Sequence, residues 1–384
     1  MKKYLLAIRN IFVSPELYFS RVKSGFSLLI FYSICANFSS SLIPFYFKEQ
    51  GLSLASIILM YMLFATIGVL FIPFFKIFSV RTSFIASFLI FSSALASLAF
   101  LPSSISFYVY AVLLGFNLIL FWLPLNYLFF LKSSKETNGI DSSLYMVAPG
   151  LIAMVLPLFG AAVANYFGYV WLFGLAALLY LFPILFVYKK IPKEKVCTLP
   201  FWEGVRNFKG LKTISMFEGA LQYFSGIVLV VYALLFLKTN LEVGYYLSYL
   251  GLLGFAIGML LSRYSDKTHK RKSYIFVLFA MMSLSIFILP SVKESTHWFI
   301  AIGLFSTIYT ISSPLRLAVS LDVRAADMTF WKMREFFLNL GRAVTLLLTV
   351  ILFTYQQYFM VFALFGVIAL AYPFLVSYKL KEIN

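Results

Sequence analysis

Charge is what this chain has least of. Only 12% of its 384 residues are Asp, Glu, Lys or Arg, about half the share in an ordinary globular domain. Acids are scarcer than bases, 14 against 31, so carboxylate clusters for metal binding or acid–base work have little to draw on. Histidine occurs twice, at His269 and His297, and cysteine twice, at Cys35 and Cys197. Neither pair has metal-ligand spacing, and two cysteines make no disulfide framework. No Gly-x-x-x-x-Gly-Lys-Ser/Thr run is present to cradle a nucleotide phosphate. Alternating ten-residue segments are missing, and with them the signature of a β-barrel. No cofactor or metal is expected.

What fills the chain is apolar. Hydrophobic residues make up 62% and aromatic residues 20%. Runs of about 20 apolar residues recur from end to end, each long enough to cross a bilayer as a helix. The pattern predicts an all-α polytopic membrane protein with twelve spans. These fall at about 26–47, 52–75, 82–101, 105–131, 140–164, 168–188, 214–237, 242–261, 273–291, 297–320, 335–355 and 357–378. The first run reads as a span and not a signal peptide, because no small-residue cleavage site follows it. Residues 1–25 carry Lys2, Lys3, Arg9, Arg21 and Lys23 among apolar side chains, a basic amphipathic lead-in.

The net charge of +17 would fit nucleic acid only if it were spread over a surface. Here the basic residues collect in alternate loops. With the N-terminus inside, 27 Lys and Arg fall on the cytoplasmic side, three (Lys48, Lys238, Lys293) outside, and Arg342 within a span. That asymmetry is the positive-inside rule. It predicts a multi-pass protein of the cell membrane with both termini cytoplasmic, in contact with lipid and a small-molecule solute and not with nucleic acid. We expect it to act as a monomer.

The basic segment 189–213, with Pro192, Pro200, Gly204 and Gly210, divides the chain. The expected organisation is a lead-in 1–25, a six-helix bundle 26–188, the linker 189–213, a second bundle 214–379 and a tail 380–384. Within the linker, Phe201, Trp202, Val205 and Phe208 predict a short amphipathic piece on the inner surface. The halves also match at an offset of 190 residues: Gly68 on Gly258, Lys48 on Lys238, Arg81 on Arg271, Ser83 on Ser273, and Pro124-Leu125 on Pro314-Leu315. A duplicated six-helix unit is a transporter architecture with its site between the repeats.

One loop is unusual. Ser262-Arg263-Tyr264-Ser265-Asp266-Lys267-Thr268-His269-Lys270-Arg271-Lys272 sets one acid among five bases between spans 8 and 9. It resembles the loop signature of the major facilitator superfamily, Gly-x-x-x-Asp-Arg/Lys-x-Gly followed by basic residues. Asp266, Lys267, Lys270, Arg271 and Lys272 match, whereas Ser262 and His269 replace the glycines. The equivalent loop after span 2 keeps Arg81 and has no acid. In span 5, Leu156-Pro157-Leu158-Phe159-Gly160-Ala161 weakly resembles an antiporter motif of that family. The resemblance implies the twelve-helix fold of two six-helix pseudo-repeats. It further implies a conformational latch formed by Asp266, Lys267, Lys270 and Arg271 against helix 11. A plain topogenic charge cluster is the alternative reading of the same residues.

Few ionisable groups fall inside the predicted spans. Glu218 and Arg342 lie shallowly in spans 7 and 11. Glu218 would either carry a proton or cation or stand as a strut paired to Arg342. Glu218, Gln222 and Ser225 share one helix face, as do Ser33, Asn37, Ser40 and Pro44 in span 1 and Tyr309, Ser312 and Arg316 in span 10. The resemblance implies that spans 1, 4, 7 and 10 line a central cavity, placing Asn37, Asn117, Trp122, Glu218, Gln222, Tyr309 and Arg316 there. The other role for such Asn and Ser groups is to bind neighbouring helices together.

The expectation is a secondary active or facilitative transporter moving a small amphipathic or apolar organic solute by alternating access, with proton-coupled export as one form. Its rivals are a transport-deficient sensor or membrane-assembly protein of the same fold, and a polytopic enzyme. An enzyme is not expected, because His269 and His297 fall on opposite faces with no acid cluster beside either.

Overall fold

The computed structural model describes the backbone of residues 15–130, 138–268, 271–323 and 327–381, and side chains over 24–130, 141–256, 274–323 and 327–379. The helices of the first half are α1 (Ser24–Glu49), α2 (Leu54–Phe74), α3 (Val80–Phe100), α4 (Ser103–Phe130), α5 (Asp141–Phe167) and α6 (Tyr169–Lys190). Those of the second are α7 (Lys212–Ala233), α8 (Asn240–Thr268), α9 (Tyr274–Ser291), α10 (Ser295–Val323), α11 (Met328–Thr354) and α12 (Tyr358–Lys379). Among the described residues eleven of these are long and apolar enough to cross a membrane, and α8 stands where the remaining span is predicted. The twelve-helix fold is the one expected.

Two boundaries differ in ways that matter. The backbone of α8 runs on to Thr268, past the predicted end at 261, so much of the expected basic loop is helix. The latch residues Asp266, Lys267, Lys270 and Arg271 lie outside the residues whose side chains are described, as does most of the lead-in 1–25. At the other boundary, α11 begins at Met328 and not near 335. Asp327 caps it, its carboxylate accepting from the Phe330 N–H at 2.6 Å. Lys332, Arg334 and Glu335 therefore belong to a helix and are buried. Lys332 and Arg334 are not loop charges, and neither is Arg316, which is buried inside α10.

Prolines shape several helices. A proline lacks the N–H that would bond four residues back and its ring clashes with that carbonyl. The helix accordingly tightens to a 3₁₀ turn at Ser40–Leu42 just before Pro44. It breaks at 154–155 before Pro157 and at 180–181 before Pro183. Pro124 and Pro314, partners across the 190-residue repeat, instead sit inside the unbroken α4 and α10.

Lipid offers no hydrophobic reason for helices to associate, so close packing over small residues must hold them. A Cβ on Gly219 would collide with the Leu338 carbonyl, and one on Gly341 with that of Met216, so α7 and α11 cross backbone to backbone. Gly251 lies against Ala153 and Gly244 against Ala161, joining α8 to α5. Gly160 touches the Phe38 carbonyl of α1. The halves also meet where α11 packs on α2 and α4, and α10 on α5.

The linker bridges the two halves on one face. Its strand β2 (Lys195–Cys197) pairs antiparallel with β1 (Ile77–Ser79) of the loop after α2, with Phe78 opposite Val196. Arg81 donates from Nε to the Ile191 carbonyl at 2.6 Å. A short helix, Phe201–Asn207, follows and docks on α11 through Phe201 against Phe336, while Phe208 just beyond stacks on Phe337. Trp202 stays exposed. The amphipathic piece forms, and its apolar side meets α11.

Candidate functional site

A cavity of about 600 Å³ opens between the halves, with α1 to α5 on one side and α7, α8, α10 and α11 on the other. The kink at Pro44 and the π-turn at Phe224–Val228 both adjoin it. In α7 the lined face runs through Gln222, Tyr223, Gly226, Ile227 and Val230, so Gly226 and not Ser225 faces the cavity. Gly226 has open space where its Cβ would stand.

Its walls are aromatic. Tyr32 stacks on Phe121 at 4.0 Å and meets Trp122 edge-on at 5.4 Å. Tyr61, Tyr110 and Tyr145 continue the wall on the first half, and Tyr223 and Tyr309 face them from the second.

One end is polar and crosses between the halves. The Tyr145 hydroxyl donates to Asn126 Oδ1 at 2.5 Å, and Asn126 Nδ2 donates to Glu335 Oε1 at 3.2 Å. Glu335 Oε2 stands 3.8 Å from Arg342 Nη1. Arg342 donates from Nη1 to Asn339 Oδ1 at 2.9 Å and from Nη2 to Gln222 Oε1 at 2.5 Å, with its guanidinium 4.7 Å from the Tyr223 ring centre. Behind this chain Arg334 Nη2 binds Glu218 Oε1 at 2.6 Å, both residues buried.

Contacts between the halves flank the cavity at both ends. On the linker face Phe130 and Trp331 pack ring to ring at 5.2 Å, near the Asn126–Glu335 bond. On the far face Lys48 Nζ donates to the carbonyls of Leu234 and Leu237. There the Tyr169 hydroxyl also bonds Asn240 Oδ1 at 2.7 Å.

Of the residues expected in the cavity, Asn37, Trp122, Gln222 and Tyr309 line it, as does the ion-pair candidate Arg342. Asn117 does not; its amide donates to the Ser87 carbonyl and hydroxyl, each at 2.9 Å, binding α4 to α3. Glu218 and Arg316 sit in the wall behind. Glu218 pairs with Arg334 and not with Arg342. Asn126, Tyr145, Arg334 and Glu335 are site residues that spacing alone did not single out. Asn126 carried the signal that marked Asn37, an amide in an apolar run. Arg334 was hidden by the late predicted start of α11, which the capping Asp327 corrects.

Residues 25–328 match the Major Facilitator Superfamily. The chain belongs to that superfamily. It is therefore a multi-pass membrane transporter, whose partners are a small solute and the lipid bilayer. The match spans α1 to α10 and ends where α11 begins, so Arg334, Glu335 and Arg342 stand on a helix beyond it. No curated protein matches the chain. In α5, Pro157 follows the helix break and Gly160 is pressed on α1.

Proposed function

We propose that this transporter carries a small amphipathic organic solute through the cavity between its halves by alternating access. The observation that carries the reading is the cavity itself. It is an aromatic chamber of about 600 Å³, within the range of roughly 300–1,000 Å³ for small-molecule sites, with one polar end. Contacts between the halves at both ends supply two gates. Opening toward the linker face would break Phe130–Trp331 and Asn126–Glu335, whereas opening on the far face would break Lys48 and Tyr169 from the second half. The basic linker face is the cytoplasmic one in this account.

Glu335 is the carboxylate placed to carry a coupling proton, because it lines the cavity while Glu218 stands behind it. Ionised, Glu335 attracts Arg342 and accepts from Asn126; protonated, it would loosen both. A thermal-shift screen on purified protein identifies ligands, since binding to the folded state alone raises stability. Flux of the hits into proteoliposomes, with and without a proton gradient, then tests transport and coupling. Saturable uptake driven by the gradient and made gradient-independent by Glu335→Gln is expected. The absence of any carrier-dependent flux for ligands that bind would favour a sensor that has kept the fold and lost transport.

A further inference from the structure

Three arginines and two carboxylates are buried at or just behind the wall of this cavity. Arg334 has Glu218 at 2.6 Å. Arg342 has Glu335 at 3.8 Å, a distance at which the pair attracts without a direct hydrogen bond. Arg316 has no carboxylate within ion-pair reach among the described residues. Its Nη2 donates to the Ser313 hydroxyl, and its guanidinium lies 4.5 Å from the Tyr309 ring centre. Its Nε and Nη1 have no partner, and only 1% of the residue is exposed. Both groups that hold Arg316, Ser313 and Tyr309, line the cavity.

A buried charge without a counter-ion is strongly unfavourable, and a transmembrane helix has no water core to relieve it. Neutral hydroxyl and ring partners, with Glu218 acting only at longer range, offset part of that cost. A cation in the chamber would add to the imbalance. An anion would cancel it. Arg334 and Arg342 line the cavity, and Arg316 stands behind Ser313 and Tyr309, which also line it. Guanidinium N–H groups are suited to a planar or tetrahedral oxyanion. The aromatic walls then take the rest of the molecule.

We infer that the transported solute is a monovalent organic anion with an aromatic or other flat apolar body. Its carboxylate, sulfonate or similar oxyanion would lie toward Arg316 and Arg342, and its body among Tyr32, Trp122 and Tyr223. This rests on the transport reading above and assigns the chemical class of the solute.

The test uses three probes on one ring: naphthalenesulfonate, naphthalenesulfonamide and a naphthylmethyl-trimethylammonium salt. The two charged probes hold their charge at every working pH, so passive leak is small. Binding is read by melting temperature and flux by uptake into proteoliposomes of the full chain. The expected result is sulfonate affinity and flux at least tenfold above the amide, with no saturable response to the ammonium. Arg316→Gln should melt no lower than the native protein, since it removes an uncompensated charge, yet should reduce the sulfonate-to-amide ratio about tenfold. Arg316→Lys should keep most of the ratio. Equal or better handling of the ammonium or amide would overturn the anion assignment and leave transport standing, as would Arg316→Gln variants with an unchanged ratio. Saturable flux of none of the three would contradict both this assignment and the transport reading.

Discussion

Glu218 on α7 and Arg334 on α11 form an ion pair, 2.6 Å between Oε1 and Nη2, with only 1% and 3% of the two residues exposed. It lies where Gly219 and Gly341 bring the two helices into backbone contact. The close crossing excludes water from the pair, and the pair in turn makes that crossing electrically tolerable. Removing one partner from such a pair leaves an uncompensated buried charge, commonly a loss of about 3–5 kcal/mol. Glu218→Gln should therefore lower the melting temperature and yield, and so should Arg334→Gln. The double variant should recover much of the loss. Single variants as stable as the native protein would contradict the pairing.

The glycines of that crossing make a second prediction. Gly219→Leu and Gly341→Leu must push α7 and α11 apart and should abolish folded protein, read by size-exclusion profile in detergent. Gly174 is the control: nothing lies within 4 Å of its would-be Cβ, and it sits inside helical α6. Gly174→Ala should raise stability by roughly 0.5–1 kcal/mol, the usual cost of a helical glycine.

Sequence patterning made the twelve spans legible because a bilayer demands about 20 apolar residues for each, whatever the tertiary contacts. The cavity was legible in part. Asn37, Gln222 and Tyr309 stand on faces that helical spacing alone can assign. Asn117 shows the limit, since an amide in an apolar helix has the same appearance whether it faces a solute or, as here, Ser87 of the next helix. Charges at a helix start misled in the other direction. Lys332, Arg334 and Glu335 look like a loop by composition, but tertiary pairing with Glu218, Arg342 and Thr198 lets them be buried.

The linker strand gives a third prediction. A proline at 196 cannot donate to the two-stranded ladder opposite Phe78. Val196→Pro should speed tryptic cleavage at the exposed Lys193, while the melting of the helices changes little. Cleavage at the native rate would mean that the strand pair does not restrain the linker.

Cysteines test fold and orientation together. Cys197 is exposed on the linker and Cys35 is buried in α1. A maleimide should label one thiol per native chain and two after denaturation. A membrane-impermeant maleimide should reach Cys197 in inside-out vesicles and not in intact cells, as the basic linker face predicts. Labelling in intact cells would invert the topology.

Passage of solute through the chamber between the halves is tested by filling it. Gly226 lines that chamber with open space beside it, so a large side chain there should fill the route without disturbing the packing. The decisive measurement is flux of the naphthalene probes into proteoliposomes by native protein and by Gly226→Trp. The account predicts saturable flux in the native protein and, in a variant of unchanged melting temperature, flux reduced to the protein-free background. Native-like flux through the filled chamber would contradict it.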